Sequence, residues 1–138
     1  MYRKIIVALS LEHGIGKRAL EVARRLRAEG GQITAVHVYE PPNNTVTVYL
    51  DEEILARTRA DLRARLNERV ADAADVEPVM LEGHPGTAIA EHAEQTGADL
   101  IIVGSHKPGL VDYFLGSTAA RVVRHAPCSV HVLRDAVQ

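Results

Sequence analysis

A chain of 138 residues and 15.0 kDa, 46% hydrophobic and 25% charged, has the size and composition of one folded domain, which excludes a large multidomain enzyme and a disordered chain. Its formal charge of −2, from 16 Lys and Arg against 18 Asp and Glu, gives no general attraction to phosphate backbones or anionic lipid, and 4% aromatic residues without Trp offer little stacking surface to single-stranded nucleic acid. Cys128 is the only cysteine, so no intrachain disulfide or two-thiol metal site can form, and the first apolar run is too short for a signal peptide or a membrane span; a cytoplasmic protein without nucleic-acid or membrane partners is expected.

Apolar runs alternate with amphipathic ones along nearly the whole chain, the pattern of βαβ units around a parallel sheet. Ile5-Ile6-Val7-Ala8-Leu9 is continuously apolar, as a strand covered on both faces should be. Ile15, Ala19, Val22, Ala23 and Leu26 then recur at helical spacing between basic residues, and Gly30-Gly31 is expected to stop that helix. Residues 33–39 read as a second strand, which Pro41 and Pro42 cannot continue because proline donates no ladder hydrogen bond. After a loop to about residue 50, Leu55, Leu62, Leu66 and Val70 mark the apolar stripe of the longest helix, over 51–72.

Residues 77–81 form a third, weaker strand whose Pro78 suits a sheet edge. The segment Gly83-His84-Pro85-Gly86-Thr87 opens a helix that turns Ile89, Ala90 and Ala93 inward, with Pro85 in its first turn and Gly97 as its stop. Leu100-Ile101-Ile102-Val103 is the clearest buried strand, followed by a loop over 104–109. Ser117 is placed to cap a last helix through Arg124, and Ser129-Val130-His131-Val132-Leu133 makes a fifth strand.

Five strands with helical crossovers predict an α/β fold: an open, doubly wound parallel sheet with helices on both faces and the strand order 3-2-1-4-5. Strands one and four are then neighbours where the order reverses. Ligands of such sheets bind outside the carboxyl ends of the strands at that crevice, which directs attention to the turn after Leu9 and the loop after Val103. The loop is the richest segment of the chain. Its glycines permit close backbone approach to a phosphate, Lys107 adds a point charge, and Gly116-Ser117-Thr118 at a helix start offers unpaired N–H groups, two hydroxyls and the positive end of the helix dipole.

The sequence resembles the universal stress protein family along its whole length, from Lys4-Ile5-Ile6-Val7 to Val130-His131-Val132-Leu133. ATP-binding members carry Gly-x2-Gly-x9-Gly-[Ser/Thr] after the fourth strand. Gly104 and Gly116-Ser117 match its outer elements, whereas Lys107 stands in place of the second glycine and the spacing is one residue shorter. The run Ser105-His106-Lys107-Pro108-Gly109, followed by Tyr113-Phe114-Leu115-Gly116-Ser117-Thr118, is similar to the F/G-type branch, whose members have a Ser-His-Arg-Pro form of this loop.

The resemblance implies one Rossmann-like domain over 1–138, of the adenine nucleotide alpha hydrolase-like type. It also implies ATP as the ligand, with or without magnesium, and a homodimer through the C-terminal strand. The nucleotide would lie against Ala8, Leu9 and Ser10 after strand one, Val38 of strand two, Gly83, and the loop residues Gly104, Ser105, His106, Lys107, Gly109, Gly116, Ser117 and Thr118. Ser10 departs from the family, which usually has an Asp there in contact with the adenosine part.

Other constellations carry less. Gly104 to Gly109 has the Gly-x4-Gly half of a phosphate loop, but Leu110-Val111 replaces Lys-[Ser/Thr] and excludes a Walker-type NTPase. Ala8-Leu9-Ser10 lacks the carboxylates of a phospho-accepting receiver. Seven histidines show no metal-binding spacing, and Asp112, His125 and Ser117 lack the Gly-x-Ser-x-Gly elbow of a hydrolase triad. The arginines from 57 to 69 alternate with acids as a solvated helix face does, and Cys128 reads as a small core residue. Two functions follow as expectations: a stress-response module that holds ATP, at most with slow hydrolysis or self-phosphorylation involving Lys107, Ser117 and Thr118, or a nucleotide-free dimeric interaction protein of the same fold.

Overall fold

The apolar run near the N-terminus forms strand β1 (Tyr2–Ala8), with Ile5, Ile6 and Val7 buried on its two faces. The chain continues through helix α1 (Gly16–Leu26), β2 (Arg27–Tyr39), α2 (Glu52–Arg69), β3 (Val76–Glu82), α3 (Pro85–Thr96), β4 (Leu100–Gly104), α4 (Ser117–His125) and β5 (Ser129–Leu133). This computed structural model describes residues 1–11, 16–42, 51–105 and 115–134. The strands are parallel and lie in the order β3-β2-β1-β4-β5, as the sequence predicts.

Alternation along β1 separates two cores. Ile5, Val7 and Leu9 join Ala19, Leu20 and Ala23 of α1 and Leu66 of α2 on one side of the sheet. Ile6 joins Ile89 and Ala93 of α3 and Ala119 and Val122 of α4 on the other, with Ala8 packed against them. Strand segments covered on both faces leave no room for polar positions, which is why Ile5-Ile6-Val7-Ala8 of β1 and Leu100-Ile101-Ile102-Val103 of β4 read as unbroken apolar runs.

The edges of the elements carry the corrections. The first helix ends at Leu26, before the expected glycine stop, and β2 begins at Arg27. Tyr2 pairs with Arg27 and Lys4 with Gln32, so two steps of β1 face five of β2, and Gly30-Gly31 lies in the resulting bulge with Gly30 at φ +78°. The glycines therefore relieve a strand irregularity rather than end a helix. Likewise the N-cap of α4 is Gly116, not Ser117; its φ of −60° and ψ of 157° are the extended cap conformation, and as a glycine it brings no side-chain cap.

Pro85 opens α3 and Gly97 ends it in the left-handed conformation at φ +70°, both as the sequence predicts; Asp51, expected as the first residue of the longest helix, instead caps α2 by accepting from the amide of Glu53, and the helix ends at Arg69. Pro78 lies in the edge strand β3, opposite Ala35. Cys128 is half-buried and packs against the α3–α4 core; burial, with a smaller contribution from the charge of Asp99, holds its thiol above the usual cysteine pKa.

Candidate functional site

The strand ladders end unevenly at the carboxyl edge of the sheet. Pairing of β1 with β4 stops at Val7 and Ile102. On its other side β1 remains bound to β2 through Ala8 and Val36, and the amide of Leu9 donates to the carbonyl of Val36 at 2.8 Å. Strand β4 likewise stays with β5 through Gly104 and Leu133, and the amide of Ser105 extends that pairing to the carbonyl of Leu133 at 2.9 Å. The two central strands thus part company beyond Val7 and Ile102, and a crevice opens between residues 8–10 and residues 103–105. It lies where the strand order reverses, the position at which open α/β sheets hold ligands.

The start of α4 is tied to this crevice by a backbone hydrogen bond. The amide of Gly116 donates to the carbonyl of Ser105 at 2.6 Å, bringing the two ends of the intervening loop together. Ser105 is 2% exposed and is the buried polar residue among those described. Gly116 supplies no side-chain cap, so among the described residues no cap bond occupies the amides of the first helical turn, and Ser117, exposed, and Thr118, half-buried, place their hydroxyl-bearing residues beside them. This is the chemistry of an anion site: N–H donors, the positive end of a helix dipole and short hydroxyl side chains.

Ala8 and Ser10 are half-exposed, whereas Leu9 and Leu11 are buried on the α1–α2 side. The alternation of β1, carried one step on, sets Ser10 on the side of Ile6 and Ala8, the side covered by α3 and α4. Val38, half-buried, packs on that side from β2, and Gly83, at φ +133°, hangs from the end of β2 through its amide to the carbonyl of Tyr39 at 2.9 Å. Of the residues expected to form the site, Ala8, Leu9, Ser10, Val38, Gly83, Gly104, Ser105, Gly116, Ser117 and Thr118 are therefore at the carboxyl edge of the sheet or at the helix start joined to it. His106, Lys107 and Gly109 lie outside the described residues.

A model of the universal stress protein family matches residues 1–134. The chain belongs to that family. A universal stress protein of Thermus aquaticus is 34% identical over 97% of this chain and 100% of its own length. Universal stress protein G of Shigella flexneri is 26% identical over 97% and 100%, in keeping with the F/G-type loop. Among solved structures, a universal stress protein in complex with cAMP superposes with a TM-score of 0.63 at 25% identity, covering 96% of each chain.

Several residues near this edge of the sheet escape a reading from sequence alone. His37 of β2 places Nδ1 at 2.9 Å from the carbonyl of Leu9. Arg65 and Arg69, read from the sequence as part of a solvated helix face, instead donate from their Nη2 atoms to the carbonyl of Leu11 at 3.3 and 2.9 Å. At the outer end of the same edge, Arg59 lies 5.4 Å from the centre of the Tyr39 ring and donates to Glu82 at 2.9 Å, a hydrogen bond that raises its pKa further. A histidine inside an apolar strand was the one signal available for this set. Among the described residues no helix is long and apolar enough to cross a membrane, and no group of three or more His, Cys, Asp or Glu is placed to hold a metal ion.

Proposed function

We propose that this universal stress protein is a cytoplasmic stress-response module that binds an adenine nucleotide, ATP, in the crevice between the ends of β1 and β4. The observation that carries the reading is the parting of β1 from β4 beside a helix start that is bonded to Ser105 and whose N-cap residue is a glycine. The phosphates would lie against Gly104, Ser105, Gly116, Ser117 and Thr118, and the adenosine against Ala8, Leu9, Ser10, Val38 and Gly83. The similarity to a family member in complex with cAMP supports an adenine nucleotide as the class of ligand. His106, Lys107 and Gly109 belong to the same loop in sequence and complete the proposed set. A magnesium ion, where one accompanies the nucleotide, would be carried by the phosphates.

Calorimetric titration with ATP, with and without magnesium, tests the reading; saturable one-to-one binding is expected, and no heat of binding together with no nucleotide released from the purified protein would end it. Intact-mass measurement after incubation with ATP shows in the same experiment whether a phosphoryl group is retained on the protein.

A second reading, a nucleotide-free interaction protein, is favoured by Ser10, which lacks the carboxylate the family usually presents to adenosine. Both readings include a homodimer through β5. That strand is the outermost of the sheet, and its Val130 and Val132 are only half-buried within one chain. Light scattering should find a dimer, and Val132→Pro should convert it to monomer or aggregate; an unchanged dimer in that variant would place the interface elsewhere.

A further inference from the structure

Residues 9–11 follow β1 and carry Ser10 on the side of Ile6 and Ala8, the side of the crevice. The amide of Leu9 is bonded to Val36 of β2, and the carbonyls of Leu9 and Leu11 stand on either side of Ser10 in the chain. Both are met by side chains from other elements. His37 of β2 reaches the first at 2.9 Å; Arg69 and Arg65, one turn apart on α2, reach the second at 2.9 and 3.3 Å. A carbonyl oxygen only accepts, so the contact with Leu9 requires the proton on Nδ1 of His37 and leaves Nε2 as the other ring position. Two guanidinium donors on one carbonyl use both of its lone pairs, and a charged donor makes the stronger kind of hydrogen bond.

The arginines approach from the side opposite the crevice. They line a groove of about 730 Å³ between α1 and α2, together with Leu11, Gly16 and Lys17. Leu9 and Leu11 are buried toward that same side, so the turn is gripped by its apolar side chains and its carbonyls from behind, with Ser10 on the other side.

We infer that His37, Arg65 and Arg69 are positioning residues that clamp the turn 9–11 and thereby set Ser10 against the adenosine part of a bound nucleotide. The inference deepens the proposed nucleotide reading and rests on it for the ligand, but the clamp itself is a property of the unliganded protein. None of the three side chains need touch the nucleotide. Their effect is pre-organisation: a turn already held in the binding conformation loses no freedom when the ligand arrives.

The test separates the donor at His37 from its bulk. His37→Asn keeps an N–H donor close to the position of Nδ1 but gives up ring volume, whereas His37→Leu keeps much of the volume and removes the donor. Backbone ¹⁵N relaxation on the unliganded proteins is read first. In the parent and in His37→Asn, residues 9–11 should show order parameters of rigid backbone, about 0.85, and in His37→Leu and in the double variant Arg65→Leu/Arg69→Leu they should fall toward about 0.6 while Ile6 and Val7 stay unchanged. ATP affinity should then fall by about tenfold or more in His37→Leu and in the double variant, and stay within about threefold of the parent in His37→Asn.

Unchanged order at 9–11 in both donor-less variants would overturn the clamp. So would an affinity loss in His37→Asn equal to that in His37→Leu, which would point to packing of the ring. Inorganic triphosphate serves as the control ligand: a loss for triphosphate as large as that for ATP would also overturn the assignment, since the turn is placed at the adenosine end. If the parent binds no nucleotide, the functional reading fails, and the relaxation data alone decide whether these side chains hold the turn.

Discussion

Gly86 on α3 lies so close to Arg121 on α4 that a Cβ there would fall 2.6 Å from the Cβ of Arg121 and 2.9 Å from its Cγ and Cδ. The nearest of these atoms sits at the root of the side chain, where no rotation can move it aside. The close approach of these two helices sets where α4 begins, and with it the position of Gly116, Ser117 and Thr118 at the crevice. Gly86→Ala should therefore force the helices apart, lowering stability by about 1–3 kcal/mol in denaturant unfolding and weakening nucleotide binding together with it. Gly97→Ala is the contrast. It has nothing within 4 Å and a φ of +70°, so its cost of about 1–2 kcal/mol is conformational and should leave affinity alone. Equal affinity losses in both variants would mean that the α3–α4 contact does not position the site.

Gly116 offers a cleaner probe of the anion site. Its φ of −60° and ψ of 157° are open to any residue, so the backbone itself does not require a glycine. Gly116→Val should then fold and melt much as the parent does, while a branched side chain beside the first amides of α4 lowers ATP affinity by at least tenfold. A calorimetric affinity equal to that of the parent would move the phosphates away from this helix start.

Two carboxylates should govern the acid limit of the fold. Asp75 receives Arg24 through Nε at 3.0 Å and Nη2 at 3.1 Å, and Arg27 at 3.2 Å; the hydrogen bonds from Arg24 are the main reason its pKa lies below the ordinary 3.8. Burial pushes Asp99 upward, but its bonds from the amides of Arg3 at 2.8 Å and Lys4 at 2.9 Å outweigh that, and its pKa also lies below 3.8. A carboxylate depressed in the folded state binds its proton first in the unfolded chain. Its stabilisation is thus complete above the unfolded value and is lost as pH falls through the folded one. Stability should be level from neutrality down to about pH 5 and then decline, and Asp75→Asn or Asp99→Asn should make that decline shallower while lowering stability at pH 7. The Asp75 pair is exposed by about a third, with side-chain exposures of 38% for Arg24 and 35% for Asp75, so its share is about 0.2–1 kcal/mol. Urea midpoints measured across pH 2.5–7 check this; an identical acid limb in both variants would assign the decline to other groups.

How far the sequence could be read depended on the range of the forces involved. The buried central strand was legible because covering both faces excludes polar residues, so Leu100-Ile101-Ile102-Val103 announces itself in composition alone. Gly30-Gly31 misled because a glycine pair signals both a helix stop and a bulge, and only the pairing of Arg27 with Tyr2, distant in sequence, decides between them. The cap of α4 was misplaced by one residue for a related reason: Ser117 has the better capping chemistry, but Gly116 has the extended backbone. The crevice was predictable in place, because crossover handedness and strand order fix the switch point. The donors behind its turn were not. Nothing in the spacing of Arg65 and Arg69 along α2 distinguishes a guanidinium on the carbonyl of Leu11 from one in water.

Ser10 gives the sharpest test of the adenosine end. The turn that carries it is held on both sides, by the Leu9 amide on Val36 and by donors on the carbonyls of Leu9 and Leu11, so a substitution at Ser10 should change the group presented to the ligand more than the path of the backbone. A carboxylate accepts charge-assisted hydrogen bonds worth about 1.5–3 kcal/mol each, and a neutral hydroxyl about half that. On the proposed reading, with phosphates at the α4 start and a hydroxyl at the adenosine end, the parent should discriminate weakly between ATP and GTP. Ser10→Asp should tighten ATP by about tenfold for each 1.4 kcal/mol gained, while the added negative charge leaves inorganic triphosphate unchanged or weaker. Titrations of ATP, GTP and triphosphate against both proteins at fixed salt and magnesium decide the matter. A variant that gains nothing for ATP over triphosphate would mean that Ser10 does not face adenosine, and the nucleotide-free reading would then be the stronger one.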